Sequence, residues 1–376
     1  MATNKDLIWE DRNVYEAALD RIDKIYNSHD EVWVSFSGGK DSLVMLKLVE
    51  EYFDKNNYRD KINVVFRDEE TINTMVREFV LTFVDNPRYN FKYYATQLES
   101  EIYILGEKRD YIQWDENRKW IIPKPDCAIT VDGVHNQWTF DKLLFEKKNR
   151  RVCSLVGIRA EESLMRFSGI TQSKVSYLTK NHDLKNATLG KPIYDWSEKD
   201  VFKYFYDNKI DYCNVYDMQV FNKDSLRVAT VLHAEAAKNL HKVKTLDPIL
   251  YNQILDVFPE VEVQARYYKD AIKGKNEKIA WYYRDKCNGD YWEAISLFIT
   301  ENITDKHQYN SAMKGLMTVR QTRRNNIAKN RDSIFGGYPA LYVFKQIIGG
   351  AYKRNIMPTS DKNEKYLEYE NLSNRA

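Results

Sequence analysis

The sequence has few of the residues that build metal centres and disulfide frameworks. Its four cysteines, Cys127, Cys153, Cys213 and Cys287, are scattered along the chain with no C-x-x-C pair. This spacing indicates neither a disulfide framework nor a local zinc or iron–sulfur knuckle. The six histidines include no H-x-x-x-H pair. The sequence therefore offers no local metal-binding motif.

The sequence also lacks long apolar runs and a first segment that resembles a signal peptide. No apolar stretch approaches the roughly 20 residues of a membrane-spanning helix, and the first residues, MATNKD, lack the apolar core of a signal peptide. We expect a cytoplasmic protein that makes no membrane contact. With 376 residues, 43% of them hydrophobic, the chain is long enough for two domains or for one enlarged by insertions.

The most informative stretch of the sequence is Val32–Leu48, which reads VWVSFSGGKDSLVMLKL. Its pattern predicts a buried strand, a glycine turn and a helix. Gly38 and Gly39 allow backbone N–H groups to face a ligand at the positive end of the helix dipole. Lys40 adds a positive charge that is expected to face that ligand, so the turn is predicted to bind an anion. The pattern G-x-x-x-x-G-K-[ST] does not fit, because Asp41 follows Lys40.

The turn resembles the pyrophosphate-binding loop, SGGxDS, of the ATP-pyrophosphatase superfamily, also called PP-loop proteins or adenine nucleotide alpha hydrolases. The resemblance implies a Rossmann-like (HUP-type) α/β fold, with a mainly parallel sheet and helices on both faces. It also implies that an adenine nucleotide, ATP or an adenylyl sulfate, contacts Ser35, Ser37, Gly38, Gly39, Lys40, Asp41 and Ser42.

A second predicted strand, INVVF at Ile62–Phe66, places Asp68 just beyond its carboxyl end. Ligands of open α/β sheets bind at that edge. Asp68 is therefore predicted to meet a ribose, a metal ion or an amino group of the nucleotide. An alternative is that Asp68 caps a helix predicted at Glu70–Val84, and the two interpretations are compatible.

A third motif, GIRAEESLMR, begins at the end of a strand predicted at Arg151–Gly157. Arginines in a glycine turn suit bidentate binding of sulfate or phosphate, whereas the alternative is a solvated, charge-rich helix start. The pattern G-x-R-x-x-E-S-x-x-R resembles the phosphoadenosine-phosphosulfate (PAPS) reductase branch of the superfamily. That resemblance implicates Gly157, Arg159, Glu162 and Arg166 in nucleotide binding.

The segment KPIYDWSEKDVF at residues 191–202 is similar to the P-I-x-D-W-x-x-x-D-V-W/F segment of the same family. Asp195 or Ser197 is predicted to cap the helix that follows, so most of this segment is interpreted as architecture. With its continuation at Tyr212–Asp217, the resemblance covers about Val32–Asp217. We therefore predict a nucleotide-binding domain over residues 1–217.

Residues 218–376 are predicted to form a mostly helical, basic region, with helices at Ser225–Leu240, Asp247–Val257, Glu260–Ile272 and Glu277–Phe298. Between residues 306 and 354 there are ten Lys or Arg and one acid, which gives a net charge of +9 there and −7 elsewhere. A helix would set four arginines within about one quadrant of its surface. This stripe either contacts nucleic acid or is a solvated face paired with the acidic part of the chain, and it consists of Arg320, Arg323, Arg324 and Arg331.

The superfamily resemblance implies cleavage of ATP between its α- and β-phosphates, which gives AMP or an adenylylated product with pyrophosphate. The loop amides, Lys40 and a Mg²⁺ ion would stabilise charge on the pyrophosphate. Lys40, Asp41 and Arg159 are the predicted catalytic residues, and Asp41 is also the predicted Mg²⁺ ligand. Arg159 and Arg166 would hold the acidic end of a second substrate, or the sulfate or phosphate of a modified nucleotide.

The sequence also departs from the family. PAPS reductases share an E-C-G-x-H motif whose thiol attacks sulfate sulfur, and Cys287 in KCNG is the nearest counterpart here, so thiol-dependent reduction is disfavoured. The related DNA-phosphorothioation sulfurtransferases hold an iron–sulfur centre, for which these isolated cysteines would have to converge through folding. Similarity to PAPS-reductase-like proteins of bacteria and phages implies a ParB-like nuclease partner. The alternative function is a non-catalytic, nucleotide-gated nucleic-acid-binding or regulatory protein.

Overall fold

The computed structural model describes residues 11–104, 107–171, 173, 175–180, 184–224, 226–228, 230–233, 240–329, 334–350 and 356–371. The chain divides into two compact units, Met1–Arg266 and Tyr267–Ala376. The first unit extends beyond the segment 1–217 that the sequence predicts as the nucleotide-binding domain. That the shorter segment forms a domain by itself stays a prediction.

The first unit is built on a six-stranded sheet. Its strands, in spatial order, are β3 (Tyr89–Tyr94), β2 (Ile62–Arg67), β1 (Glu31–Ser35), β6 (Val152–Leu155), β8 (Ala187–Gly190) and β7 (Leu178–Lys180). Neighbouring strands are parallel except for β7, which pairs antiparallel with β8 at one edge. The predicted mainly parallel, Rossmann-like α/β fold is therefore confirmed. The strand order reverses between β1 and β6, and open α/β sheets bind ligands at such a switch point.

Side chains alternate between the two faces of the sheet. Val34 of β1 and Leu155 of β6 belong to the main apolar core, whereas Val65 of β2 and Val152 of β6 belong to a smaller core on the other face. Phe145 is part of the smaller core, so a helix covers each face. Nearly continuous apolar strands of this kind are expected when both faces of a parallel sheet are buried.

The helices of the first unit begin at good capping residues, among them Asn13, Asn73, Ser197 and Asp247. The helices are α1 (Val14–Ser28), α2 (Lys40–Lys55), α3 (Thr74–Val84), α4 (Gln137–Phe145), α5 (Leu164–Thr171), α6 (Glu198–Asn208), α7 (Val215–Phe221), α8 (Leu240–Leu246) and α9 (Pro248–Val257). The helix predicted at Ser225–Leu240 is wrong where the structure describes it, because residues 226–228 and 230–233 are not helical.

The PIYDW segment is held by a buried arginine of α1. Arg21 donates to both carboxylate oxygens of Asp195 at 2.7 Å and to the carbonyl oxygen of Pro192 at 2.8 Å. Ser197, and not Asp195, caps α6, where it forms a capping box with Asp200. The interpretation of this segment as architecture agrees with these contacts.

The stretch between β3 and α4 contains a hairpin that its sequence does not predict, formed by β4 (Leu98–Ile104) and β5 (Glu107–Gln113). The segment after the hairpin is tied to the buried carboxylate of Glu70. This carboxylate accepts hydrogen bonds from the Tyr111 hydroxyl (2.8 Å) and from the backbone N–H groups of Trp114 (2.7 Å) and Ile121 (2.9 Å), and it pairs with Arg118. Several groups that are distant in the sequence bind this one carboxylate. No local sequence pattern therefore predicts the contact.

From residue 261 onward the described elements are helical, and residues from Ile279 onward form a second apolar core. They include α10 (Val261–Lys286), α11 (Tyr291–Asn302), α12 (Lys306–Ala328), α13 (Ala340–Ile348) and α14 (Glu364–Asn371). The predicted mostly helical C-terminal region is confirmed. The helices predicted at Glu260–Ile272 and Glu277–Phe298 are differently divided, into α10 and α11. Of the helices that the structure describes, none is long and apolar enough to cross a bilayer.

The sequence predicts a stripe of four arginines on one face of a helix, and Arg323 does not belong to such a stripe. Arg323 is buried, and its guanidinium donates to both carboxylate oxygens of Glu370 (3.0 and 2.6 Å) and to the carbonyl oxygen of Tyr338 (3.0 Å). Arg331 lies outside the described residues. A nucleic-acid contact through the other two arginines of the stripe stays a prediction.

A close backbone approach joins β6 to the glycine turn before α2. A Cβ on Gly157 would lie 2.6 Å from the carbonyl carbon of Asp41 and 2.7 Å from the amide nitrogen of Ser42. These distances are shorter than a real Cβ tolerates, so only glycine fits between the end of β6 and the start of α2. Gly157 therefore sets how near Arg159 comes to the glycine turn.

Gly157→Ala is expected to lower the free energy of unfolding by about 1–3 kcal/mol, because the methyl group can be placed only by moving backbone. Urea denaturation measures the change. Gly169→Ala in α5 is the matched control, since its Cβ would meet nothing within 4 Å. The control should be neutral or stabilising by up to about 1 kcal/mol, because alanine favours helix. Equal stability of the two variants would contradict the close approach.

Arg323→Ala is expected to destabilise the protein by about 3–5 kcal/mol, because it removes the guanidinium that pairs with both oxygens of the buried Glu370 carboxylate. The exposed Arg324 on the same helix provides the control, and Arg324→Ala should stay within about 0.5 kcal/mol of wild type. Thermal and denaturant unfolding of the full chain test both. Similar small effects of the two substitutions would refute a structural role for Arg323.

Candidate functional site

The turn between β1 and α2 has the geometry of an anion-binding loop. Gly38 has φ +72°, and a Cβ there would lie 2.6 Å from Cγ2 of Val80. Gly39 is the N-cap of α2 and supplies no side-chain hydrogen bond to the first turn of the helix. The N-cap residue of α2 therefore adds no cap of its own to the positive end of the helix, where helices commonly bind phosphate.

Serine hydroxyls define the shape of this loop. The Ser42 hydroxyl accepts a hydrogen bond from the Ser37 backbone N–H (3.0 Å) and donates to the carbonyl oxygen of Gly39 (2.9 Å). The Ser37 and Ser42 hydroxyls are 2.9 Å apart. Beneath the loop the hydroxyls of Ser35 and Ser154 hydrogen-bond at 2.7 Å, which ties β1 to β6. The predicted serines are thus brought together at the switch point.

Lys40 is placed differently from the prediction. Its side chain does not face open solvent, since the residue is only 3% exposed. Its ammonium contacts a carboxylate oxygen of Asp41 (3.2 Å), the carbonyl oxygen of Leu226 (3.0 Å) and, at 3.7 Å, the Glu198 carboxylate. Lys40 therefore lies in a charged network at the start of α2 and not at an open surface, and its contact with a ligand stays a prediction.

Tyr216 is a member of the site to which the sequence assigns no role. Its hydroxyl oxygen accepts a hydrogen bond from the Lys40 backbone N–H at 2.8 Å, and its ring lies 5.5 Å from the Lys40 ammonium. Burial raises the pKa of this hydroxyl. Tyr216 belongs to a segment that resembles the family, but the sequence gives no signal that its hydroxyl reaches the loop.

Asp41 and Arg159 form an ion pair, with the Arg159 Nε 2.6 Å from one oxygen of Asp41. Arg159 also donates to the Glu161 carboxylate at 3.0 Å and is 2% exposed. Both oxygens of Asp41 are thus engaged by cations, one by Arg159 and the other by Lys40. Asp41 therefore does not fit the predicted role of Mg²⁺ ligand. No group of three His, Cys, Asp or Glu in the described part of the chain is arranged to hold a metal ion.

Two more arginines lie beside this pair. Arg166 pairs with the Glu162 carboxylate, and Arg227 donates to the Glu162 carbonyl oxygen at 2.7 Å. Desolvation lowers the pKa of Arg166, and the positive charges of Arg227 and Arg159 lower it further. Crowding of guanidinium groups is favourable when an anion lies between them. Arg227 was missed because it follows the family resemblance in the sequence.

Asp68 does not belong to the site. It is fully buried, accepts a hydrogen bond from the Tyr93 hydroxyl and pairs with Arg77 at 2.9 Å. Burial nevertheless raises the pKa of its carboxyl group. The alternative role as a helix cap is also wrong, because Asn73 caps α3, although Asp68 accepts from the Glu70 backbone N–H. Asp68 is therefore part of the core beneath the sheet edge.

A cavity of about 510 Å³ opens at the switch point. Ser35 and Ser37 line it on the loop side, and Ser154 lines it from β6. Most of its remaining wall is apolar, and its charged residues are Arg67, Glu69 and Asp141. Arg67 lies 3.7 Å from Asp141 and 3.6 Å from Glu69. Burial raises the pKa of Asp141. The cavity combines an apolar wall with a few converging polar groups, as small-molecule sites do.

The cysteines do not supply an obvious nucleophile. Cys153 is fully buried in β6, and burial raises its pKa to about 12. Cys213 and Cys287 are also buried, with raised pKa values. Cys127 is partly buried, and desolvation raises its pKa as well. A reactive thiol requires a lowered pKa, so none of the four is activated in this structure.

Comparisons with solved structures give fold neighbours of low similarity. FMN adenylyltransferase of Candida glabrata, in complex with FMN and the ATP analogue AMPCPP, is 13% identical, with a TM-score of 0.36 over 56% of this chain and 64% of that chain. PAPS reductase of Candida auris, in a phosphate complex, is 10% identical, with a TM-score of 0.32 over 56% of this chain and 93% of that chain.

Curated relatives are more similar in sequence. The uncharacterized protein YbdN of Escherichia coli is 30% identical over 224 residues, which are 54% of this chain and 53% of that protein. The uncharacterized protein MJ0973 of Methanocaldococcus jannaschii is 28% identical over 258 residues, 68% of this chain and 54% of that protein. The chain thus spans about half the length of these relatives.

The family comparison covers the sheet and the loop described above. Residues 31–222, just over half of the chain, match the family model of the phosphoadenosine phosphosulfate reductase domain. The match begins at β1 and ends just after α7, so it contains the glycine loop, the Arg159 turn and Tyr216. The chain therefore belongs to the phosphoadenosine phosphosulfate reductase family, within the PP-loop superfamily of nucleotide-using proteins.

Proposed function

We propose that the first unit binds ATP, or an adenylyl sulfate in the same cleft, and breaks the bond between the α- and β-phosphates of ATP. The observation that carries this proposal is the cavity of about 510 Å³ at the switch point, which ends at Ser35 and Ser37 of the glycine loop. A nucleotide base and ribose in this cavity would direct the phosphates toward the positive end of α2.

The walls of the cavity suit the adenosine part of such a ligand. Val156, Ile158 and Val228 line the cavity, are only partly buried and provide apolar surface for a flat base. Asp141 accepts hydrogen bonds when ionised, and it could receive those of an amino group or of ribose hydroxyls. Arg67 lies 3.7 Å from Asp141 and 3.6 Å from Glu69, and it offsets part of their negative charge. These groups favour an uncharged, hydrogen-bonding moiety in the cavity.

Positively charged side chains surround the phosphate end of the proposed site. They are Lys40, Arg159, Arg166 and Arg227. Arg159 is buried, so we assign it to positioning Asp41 and the loop. Arg166 has a side chain that is 44% exposed, and Arg227 is exposed, so these two are assigned to the phosphate or sulfate itself.

The roles of the residues in the proposed reaction follow from where negative charge develops on the ATP phosphates. When an acceptor attacks the α-phosphorus, negative charge grows on the oxygen that leaves with pyrophosphate. The backbone N–H groups at Gly38 and Gly39 and the ammonium of Lys40 are held in place before the reaction, so they stabilise this charge without reorganising. Tyr216 supports the arrangement by binding the Lys40 backbone N–H. The products would be pyrophosphate and AMP or an adenylylated acceptor.

Product analysis tests the proposed reaction directly. The purified full chain is incubated with ATP in Mg²⁺-containing buffer, and AMP, ADP, pyrophosphate and phosphate are separated by anion-exchange chromatography. AMP with pyrophosphate in equal amounts is the expected result. ADP with phosphate would overturn attack at the α-phosphorus. ATP binding without any product, in the presence of candidate acceptors, would favour the non-catalytic alternative.

Lys40→Met is expected to reduce ATP turnover by about 100-fold or more, because it removes one preorganised charge from the transition state. Its effect on thermal stability should be small, since Asp41 keeps its pair with Arg159 at 2.6 Å. Lys47→Met is the matched control on the same helix, where Lys47 contacts Glu50 at 2.9 Å. Equal turnover of the two variants would remove Lys40 from the mechanism.

A further inference from the structure

Helix α12 of the second unit carries positive charge and no negative charge. Its sequence, KHQYNSAMKGLMTVRQTRRNNIA, contains five Lys or Arg and no Asp or Glu. Arg323 is buried, whereas three of these cations are exposed, namely Lys306, Lys314 and Arg324. We call these three residues the cationic face of α12.

The three cations lie on one side of the helix. Lys306 and Arg324 are separated by about five full turns, so they lie on the same line along the helix, about 27 Å apart, and Lys314 is within about 80° of that line. The opposite side carries residues of the second apolar core, among them Leu316 and Val319. The cationic face therefore points away from the core of its own unit over most of the length of α12.

The cationic face has no ion-pair partner in the part of the second unit that the structure describes. Other lysines of this unit do have partners, since Lys286 pairs with Glu301 at 2.6 Å and Lys345 pairs with Glu277 at 2.9 Å. The described contacts therefore do not support the alternative in which this face pairs with acids of the same chain. A row of exposed, unpaired cations is instead suited to neutralising a polyanion.

The other exposed side chains of α12 indicate which polyanion fits. Exposed amides stand beside the cations, at Asn310, Gln321 and Asn325. Amide side chains donate to phosphate oxygens and to base edges in protein–DNA contacts. The large apolar side chains exposed on α12 are those of Met317 and Ile327, which are too few for the apolar face of a helix that lies on a membrane. A nucleic acid therefore fits this surface better than a lipid bilayer does.

The geometry of α12 favours a DNA duplex over other nucleic acids. A helix of 23 residues is about 35 Å long, and the major groove of B-DNA, about 12 Å wide, admits an α-helix. The major groove of an RNA duplex is too narrow for such an approach. Single strands are held by aromatic side chains that stack on the bases, and the exposed residues of α12 include no Phe, Tyr or Trp.

We propose that α12 is a binding surface for double-stranded DNA. Lys306, Lys314 and Arg324 contact phosphates, and Gln321 and Asn325 donate hydrogen bonds to phosphates or base edges beside them. This inference concerns the second unit and does not depend on the proposed nucleotide reaction, because the binding requires no ATP.

Fluorescence anisotropy of a labelled DNA duplex of about 20 base pairs, titrated with the full chain without nucleotide, tests this inference. We expect saturable binding at low salt. The triple substitution Lys306→Gln, Lys314→Gln and Arg324→Gln should weaken it by about tenfold or more. It should also make the slope of log K against log salt shallower by about 2–3, because each phosphate contact releases close to one counterion.

A matched triple variant separates the cationic face from the net charge of the protein. Lys24→Gln, Lys55→Gln and Lys203→Gln remove three exposed charges from helices of the first unit. The affinity of this control should stay within about twofold of wild type. Replacing Lys306 and Lys314 by Arg keeps the charge of the face and should keep the binding. Thermal unfolding of each variant checks that the fold is retained.

The inference is overturned if the duplex shows no saturable binding, or if the two triple variants weaken binding equally. Single-stranded DNA of the same length that binds as tightly as the duplex would also overturn it. Displacement of the duplex by poly-L-glutamate as effectively as by unlabelled duplex, at equal charge concentration, would indicate an acidic protein partner in place of DNA. Formation of AMP and pyrophosphate from ATP is measured separately, so the proposed reaction and the DNA surface can each fail while the other stands.

Discussion

The arrangement of the site depends on the contact between the end of β6 and the start of α2. Gly157 approaches the Asp41–Ser42 backbone so closely that a single methyl group does not fit. Because the chain continues from Gly157 to Arg159, the contact delivers a guanidinium to Asp41 from a segment more than 100 residues away. The ion pair then holds the first turn of α2 in place. Backbone packing, rather than attraction between charges alone, therefore decides which residues meet at the loop.

The sequence predicts the parts of this protein that local patterns encode. Neighbouring residues in the chain are enough to predict the apolar strands, the glycine turn and the capping residues. The sheet, most of the helices and the position of the loop follow from these elements. The strand-end motifs also predict that Ser37, Arg159 and Arg166 lie at one edge of the sheet, and the structure places them there. The orientation of each side chain depends on distant partners. Lys40, Asp68 and Arg323 carry charges that the sequence assigns to ligands, whereas the structure pairs them within the protein.

The β4–β5 hairpin shows that secondary structure, too, can depend on contacts between residues far apart in the sequence. One face of the hairpin, with Leu98, Ile102 and Tyr111, is buried, whereas the opposite face carries Glu99, Glu101 and Asp110. Glu70, with φ +64° and full burial, anchors the following segment through donors spread over residues 111–121. A left-handed, buried glutamate has no sequence signature. The position of this segment thus depends on contacts that only the folded chain displays.

Positive and negative side chains around the glycine loop nearly balance each other. A negatively charged ligand would therefore have to displace some of the carboxylates. The cations are Lys40, Arg159, Arg166 and Arg227, and the carboxylates near them are Asp41, Glu161, Glu162 and Glu198. The side chains of Glu161 and Glu198 are 58% and 45% exposed, whereas those of Arg159 and Lys40 are 3% and 4% exposed. Moving an exposed carboxylate into water costs little, while moving a buried cation away from its partners costs much more. If the proposed nucleotide binds here, its phosphates would therefore displace the carboxylates of Glu161 and Glu198 and leave the buried cations where they are.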